Sequence, residues 1–161
     1  MSIGKIYLAS PLGFHEAGRY FLQDKLVPEL EDLGFQVINP FDEIPEEEVE
    51  DMKSIQKIEE RKRKLSELDM EIGEMNRKSI ERSDMVLAVL EGSDVDSGTA
   101  SEVGYAAGTG KKVIGYRSDF RLSSENLGTS VNLQVEYFIR ESGGKIASSL
   151  DELIELMGEI K

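Results

Sequence analysis

The sequence predicts an α/β fold, a flavodoxin-like or Rossmann-like three-layer sandwich around a five-stranded parallel sheet. Three observations carry the prediction. Short apolar runs alternate with helical patterns along the whole chain, and Gly, Pro and polar clusters fall between them. Met85-Val86-Leu87-Ala88-Val89-Leu90 is apolar without a break, as a strand buried on both faces must be. Right-handed strand–helix–strand crossovers leave little but a parallel sheet with helices on both faces.

The elements follow in order. Lys5 to Ser10 reads as a first strand, stopped by Pro11 and Gly13. Tyr20, Phe21, Val27, Leu30 and Leu33 recur at helical spacing up to Gly34, with Pro28 as a place for a kink. Phe35 to Pro40 is a second strand. From Glu46 to Arg82 the residues Ile55, Ile58, Leu65, Leu68, Ile72 and Met75 make one helical stripe, expected to pack on the sheet, on a partner subunit, or as a lid, with Gly73 as a break point. After the third strand, Ser97 to about Ala107 is a helix closed by Gly108 and Gly110, and Val113 to Tyr116 is a fourth strand. A polar loop runs from Arg117 to Ser130. Val131 to Glu141 (helix), Lys145 to Ala147 (strand) and Leu150 to Ile160 (helix) complete the chain.

With 161 residues, 39% of them hydrophobic, the chain fits one domain, 1–161, carrying a long helical insertion at about 44–82. The net charge of −13 opposes binding to nucleic acid or to an anionic membrane. No apolar run is long enough to span a bilayer and no secretory pattern opens the sequence, so the cytoplasm is the expected location. The absence of cysteine excludes disulfides, thiolate metal sites and cysteine nucleophiles.

In such folds ligands bind beyond the C-terminal strand ends. No phosphate-binding loop, dinucleotide glycine fingerprint, serine nucleophile elbow or metal spacing occurs there. The single histidine, His15, opens the first helix. What stands out is a concentration of acids: Asp84 at the start of the third strand, Asp94 and Asp96 after it, and Glu102 within the next helix. Asp96 before Ser-Gly-Thr is a good N-cap. Glu102 lies on a small and apolar face, with Gly98 four residues before it and Ala106 four after, which leaves room for a ligand. A carboxylate so placed has its basicity tuned by desolvation and like charge, and suits a nucleophile toward an electron-poor carbon, a general base, or a purely binding role.

Lys5-Ile6-Tyr7-Leu8-Ala9, Asn39-Pro40-Phe41-Asp42, Asn76 with Ser83 to Ala88, the block from Asp96 to Ala106, and Val131-Asn132-Leu133 together resemble the nucleoside 2-deoxyribosyltransferase family, in order and over most of the chain. The resemblance implies transfer of a 2-deoxyribose between nucleobases through a covalent sugar–enzyme intermediate, without metal or organic cofactor. It implies Glu102 as the nucleophile on C1′, Tyr7 as the hydroxyl that orients it, and Asp84 as an acid near the base. Asp96 is then the contact to sugar hydroxyls, with Ser10, Gly98 and Asp42 lining the substrate site. Asn132 matches an amide that reaches the sugar from a neighbouring subunit, so a homodimer or larger homo-oligomer with shared sites is implied. The expected ligands are 2′-deoxynucleosides and nucleobases.

Two alternatives stand beside it: an N-glycosidase acting on nucleosides or 5′-monophosphates through the same Glu102, and a non-catalytic nucleotide-binding module. Asp96 favours nucleosides, because a carboxylate repels a 5′-phosphate. Ser10, Arg117, Ser118, Arg121, Ser123 and Ser124 would cradle a phosphate if they converged.

Overall fold

Five parallel strands form the sheet in the computed structural model, which describes residues 4–44 and 46–160. They are β1 (Gly4–Ala9), β2 (Phe35–Ile38), β3 (Met85–Val89), β4 (Lys112–Tyr116) and β5 (Ile146–Ala147), in the order β2-β1-β3-β4-β5. The strand order reverses between β1 and β3, so a crevice opens beyond their C-terminal ends. This is the flavodoxin-like layout the sequence predicts.

Strand alternation sorts the core. Ile6, Leu8, Leu87 and Ile114 face one side with Leu22, Leu26, Leu30, Leu153 and Met157, residues of the helical run 16–32 and of α7 (Leu150–Glu159). Tyr7, Ala9, Val86 and Ala88 face the other side with Ile80, Val103, Ala106, Val135 and Ile139. That second layer consists of the end of α4 (Ile58–Arg82), α5 (Ser97–Gly108) and α6 (Leu133–Glu141). Because successive side chains on a strand point to opposite faces, Tyr7 is directed toward α5 while its neighbours Ile6 and Leu8 build the opposite core.

Two local expectations are revised. At Pro28 the helix widens: α1 (Glu16–Phe21) passes through a π turn, Leu22–Leu26, into α2 (Val27–Asp32), and the Val27 N–H donates to the Leu22 carbonyl five residues back. Proline has no N–H for the ordinary ladder, and the wider turn accommodates the gap. Gly73 does not break its helix, since α4 runs through it for 25 residues. One interior glycine costs only about 1 kcal/mol, and flanking pairs such as Lys78–Glu74 at 2.9 Å and Arg63–Glu67 at 2.7 Å each return a few tenths.

On α4, Leu68 and Ile80 are buried, Ile80 within the core on that face of the sheet, while Ile58 of the stripe stays exposed. The shorter α3 (Glu46–Ser54) precedes it. At the other end the Lys111 ammonium donates to the carbonyls of Glu81 and Ser83, satisfying the end of α4 where the helix dipole favours a cation. Among the described residues no helix is long and apolar enough to cross a membrane.

Candidate active site

The α5 helix is fixed by Thr99, Val103 and Ala106, a buried stripe at helical spacing that lies on the sheet. Glu102 stands one residue round from that stripe, so its carboxylate leans over β1. There the fully buried Tyr7 donates its hydroxyl proton to Glu102 Oε1 at 2.6 Å. Burial raises the Glu102 carboxyl above its ordinary range, the Tyr7 hydrogen bond opposes that rise, and the charge of Asp96 adds to it. Tyr7 is itself pushed up, first by burial and then by the Glu102 charge, so the phenol remains a donor. One carboxylate oxygen is thereby held in place and the other is left for a ligand.

Asp96 is the N-cap of α5: its Oδ2 accepts the Thr99 N–H at 2.9 Å and the Thr99 hydroxyl at 3.2 Å. Capping is thus real, and it orients the acid toward Glu102 rather than excluding a second role. Gly98 completes the arrangement. A Cβ there would stand 3.1 Å from Asp96 Oδ2, and the missing side chain keeps the space between the two acids open.

Two cavities meet at Glu102. One, of about 300 Å³, lies under the loops after β1 and β2 and is walled by Phe14, Phe41, Ile44 and Ile72, with Ser10 and Asp96 at its edge. The other, of about 380 Å³, opens between α4 and α5 past Gly73, Arg77, Ser101 and Tyr105. Asn76, Gly98 and Glu102 line both. The aromatic wall has a local cause. Asn39 accepts the Phe41 N–H and, with Pro40, turns the chain, while a Cβ on Gly13 would come within 2.2 Å of the Phe41 ring. Phe41 therefore lies against bare backbone, with Phe14 edge-on to it at 5.0 Å between centroids. Phe14 remains 75% exposed, an apolar surface offered to a ligand.

Of the residues singled out from sequence, Tyr7, Ser10, Asp96, Gly98 and Glu102 come together. Asp84 does not. It precedes the first residue of β3, its Oδ2 accepts the backbone N–H of Lys5 at 2.7 Å, and parallel strands put that edge opposite the crevice. It is exposed and lines neither Glu102 cavity, so its assignment beside the base is corrected. Asp42 is also outside: it accepts from Asn39 Nδ2 at 3.2 Å and faces two other clefts, near Gly13 and near Arg82. Asn132 caps α6 and donates to Glu125 at 2.6 Å, away from the Glu102 cavities of its own chain.

The phosphate cradle does not form. Arg117 is spent on the carbonyls of Leu90, Gly92 and Arg121, Arg121 pairs with Asp119, Ser118 donates to Glu91, and Ser124 to Asn126. Only Ser10 reaches the Glu102 cavity. A cavity of about 660 Å³ over β4 and β5 holds Arg117 but shares no wall with Glu102. His15 is the N-cap of α1, accepting the Gly18 N–H.

Asn76, Phe14 and Phe41 were given no role from sequence. Gly13 beside Phe14 was a signal for close packing. Asn76 interrupts the α4 stripe between Ile72 and Ile80, a polar residue at a position whose helical neighbours are apolar. Among the described residues no group of three metal-ligating side chains gathers at this or any other place.

A family model described as nucleoside 2-deoxyribosyltransferase matches residues 6–134. An uncharacterized protein of Schizosaccharomyces pombe is 32% identical over 126 residues, 76% of this chain and 54% of that protein, so the chain spans about half its relative's length. Among solved structures, a conserved protein from Enterococcus faecalis superposes with a TM-score of 0.74 at 22% identity, covering 100% of this chain and 99% of the other. A 2-deoxyribosyltransferase from Leishmania mexicana gives 0.67 at 20%, covering 96% and 97%. A CMP N-glycosidase from Clostridium botulinum gives 0.55 at 19%, covering 98% and 99%. These structural likenesses are likenesses of fold.

Proposed function

The chain belongs to the nucleoside 2-deoxyribosyltransferase family, and from that premise we propose that it moves a 2-deoxyribose from one nucleobase to another through an ester on Glu102. The observation that carries the reading is the 2.6 Å bond from Tyr7 to a half-buried Glu102 at the meeting point of two cavities. The free carboxylate oxygen attacks C1′ while the C1′–N bond breaks and its electron pair leaves with the base. The departed base takes a proton from solvent; in the second half a ring nitrogen of the incoming base attacks C1′ and gives up its N–H proton to solvent, and the Glu102–sugar bond breaks with its electron pair returning to the carboxylate. Desolvation makes the carboxylate a stronger nucleophile, and Tyr7 fixes the line of attack.

Asp96 supports a nucleoside as substrate. Its Oδ2 is committed to Thr99, its second oxygen is available to a sugar hydroxyl, and its charge repels a 5′-phosphate. The scattered partners of Arg117 and Arg121 point the same way. The apolar walls Phe14, Phe41, Ile44 and Ile72 suit the flat face of a base, and a bound base keeps water from the intermediate. Asn132 acts in a second copy: α6 carries it beside Leu133 and Tyr137, both about half exposed, which that copy would cover.

The test is incubation with 2′-deoxyinosine, with and without adenine. Formation of 2′-deoxyadenosine, lost in Glu102→Ala, is the expected result. Free deoxyribose in place of exchange would assign the N-glycosidase reaction instead, and unchanged turnover in Glu102→Ala would overturn the nucleophile.

A further inference from the structure

We propose that the cavity of about 660 Å³ over β4 and β5 is a second ligand site, one that takes a small oxyanion, phosphate or carboxylate, carried on an apolar ring. Its volume is that of a small-molecule pocket. Because it shares no wall with Glu102, the proposal is independent of the reaction there and holds for sugar transfer and for hydrolysis alike.

Charge selects an anion. The chain carries a net −13, yet the charged wall of this cavity consists of three cations, Arg117, Arg140 and Lys145, against two acids, Asp119 and Glu136. The cavity walled by Phe14 and Phe41 has the opposite character, with Asp69, Asp96 and Glu102 and no cation. Both acids over β4 and β5 are already paired, Glu136 with Arg140 and Asp119, though it feels the Arg117 charge, with Arg121. Arg117 and Lys145 enter no ion pair among the described residues. Arg117 is only 5% exposed, and its guanidinium donates to the carbonyls of Leu90, Gly92 and Arg121. Carbonyls satisfy its N–H groups without cancelling its charge, so Arg117 acts on the cavity by its field rather than by contact. A buried cation with no bonded counter-charge is stabilised by an anion that enters beside it. Lys145 is exposed, and its ammonium is the one left to touch that anion.

An unsatisfied hydroxyl points to the same place. Among the described residues three buried side-chain atoms lack a hydrogen-bond partner, and two of them, Ser123 Oγ and Thr129 Oγ1, belong to the loop between β4 and α6. Thr129 lines the cavity. A hydroxyl withdrawn from water and left unpaired is costly, and an oxyanion in the cavity would accept its proton. The same loop supplies the apolar part. Phe120 and Leu127 line the cavity and are 94% and 90% exposed. Large apolar side chains left in water around a concave, locally positive space suit a ligand whose body is a ring.

The test is an amide chemical-shift titration of the isotope-labelled protein with phenyl phosphate, benzoate, inorganic phosphate and benzyl alcohol. Phenyl phosphate or benzoate should give saturable shifts at Gly128, Thr129 and Gly144 and leave Gly98 and Asn76, beside Glu102, in place; the tighter of the two names the oxyanion. Inorganic phosphate and benzyl alcohol each supply half of the ligand and should bind about tenfold more weakly or less. Lys145→Glu, a change at an exposed position, should weaken the aromatic oxyanion about tenfold and leave benzyl alcohol unaffected. Thr129→Val keeps the shape of the wall and should weaken the same probe about fivefold or more. Three results would overturn the proposal: no saturable shift up to about 10 mM probe, as when a second copy fills the cavity; shifts confined to Gly98 and Asn76; or an affinity indifferent both to Lys145→Glu and to added salt.

Discussion

Replacing Tyr7 by Phe removes one oxygen and one hydrogen bond from the site while leaving the ring that fills the sheet face. The bond lies at 2.6 Å and ends on a carboxylate, so it stabilises the ionised form of Glu102. Hydrogen bonds to charged groups are worth about 1.5–3 kcal/mol, so losing this one raises the Glu102 carboxyl further above its ordinary range. The nucleophile must be ionised to attack. The acid limb of kcat/KM for base exchange therefore moves to higher pH in Tyr7→Phe, giving a loss of about 10- to 100-fold on the acid side, the rate equivalent of that bond, which shrinks as the pH rises. Chromatographic initial rates between about pH 5 and pH 9 read this directly. An acid limb that stays in place, with or without a uniform loss, would refute the argument that Tyr7 tunes the carboxylate.

Three further substitutions follow from the same geometry. Asp96→Ser keeps an N-cap residue on α5 and removes the charge; it should raise KM for 2′-deoxynucleosides about tenfold and bring in measurable cleavage of 5′-monophosphates, read by parallel assays. Asp84→Asn should leave kcat/KM within about twofold, because that side chain lies at the far edge of the sheet; a loss beyond about a hundredfold would restore it to the chemistry. Glu102→Gln should lose about 10³-fold or more in rate yet melt at higher temperature at pH 8. A carboxyl whose folded pKa is raised binds its proton more tightly when folded, so ionisation opposes folding above the usual glutamate range. The advantage of Gln should close as the pH falls below about 4.3, where the acid is protonated in both states.

The parts of the fold that depend on a repeating pattern were legible. The unbroken apolar run of β3 and the stop glycines announce a buried parallel sheet, and Gly34 and Gly110 do take the left-handed backbone that ends their helices. Glu102 was legible for a similar reason, since helical spacing alone surrounds it with Gly98 and Ala106. Asp84 misled because it lies in sequence beside the strand that leads into the site. A parallel strand carries its first residue to one edge of the sheet and its last to the other, and only the last joins the crevice.

The remainder required tertiary structure. Which face of α4 meets the pocket is set by the burial of Leu68 and Ile80, and until that is known Asn76 is one polar residue among many on a charged helix. Phe14 and Phe41 come from different loops and meet only because Gly13 carries no side chain. The Arg117 guanidinium is taken by the backbone carbonyls of Leu90 and Gly92, left free beyond β3, in place of a phosphate.

The central claim is that Glu102 forms a bond to the sugar. Incubation with a 2′-deoxynucleoside analogue carrying fluorine at C2′ in the arabino configuration destabilises the positive charge that develops at C1′ and slows turnover of the intermediate. Intact-protein mass spectrometry followed by peptide mapping should then find one fluorinated sugar per chain on the peptide containing Glu102, released when a free base is added. A sugar on a different residue, or analogue turnover with wild-type protein that never carries a sugar on that peptide, would contradict the account.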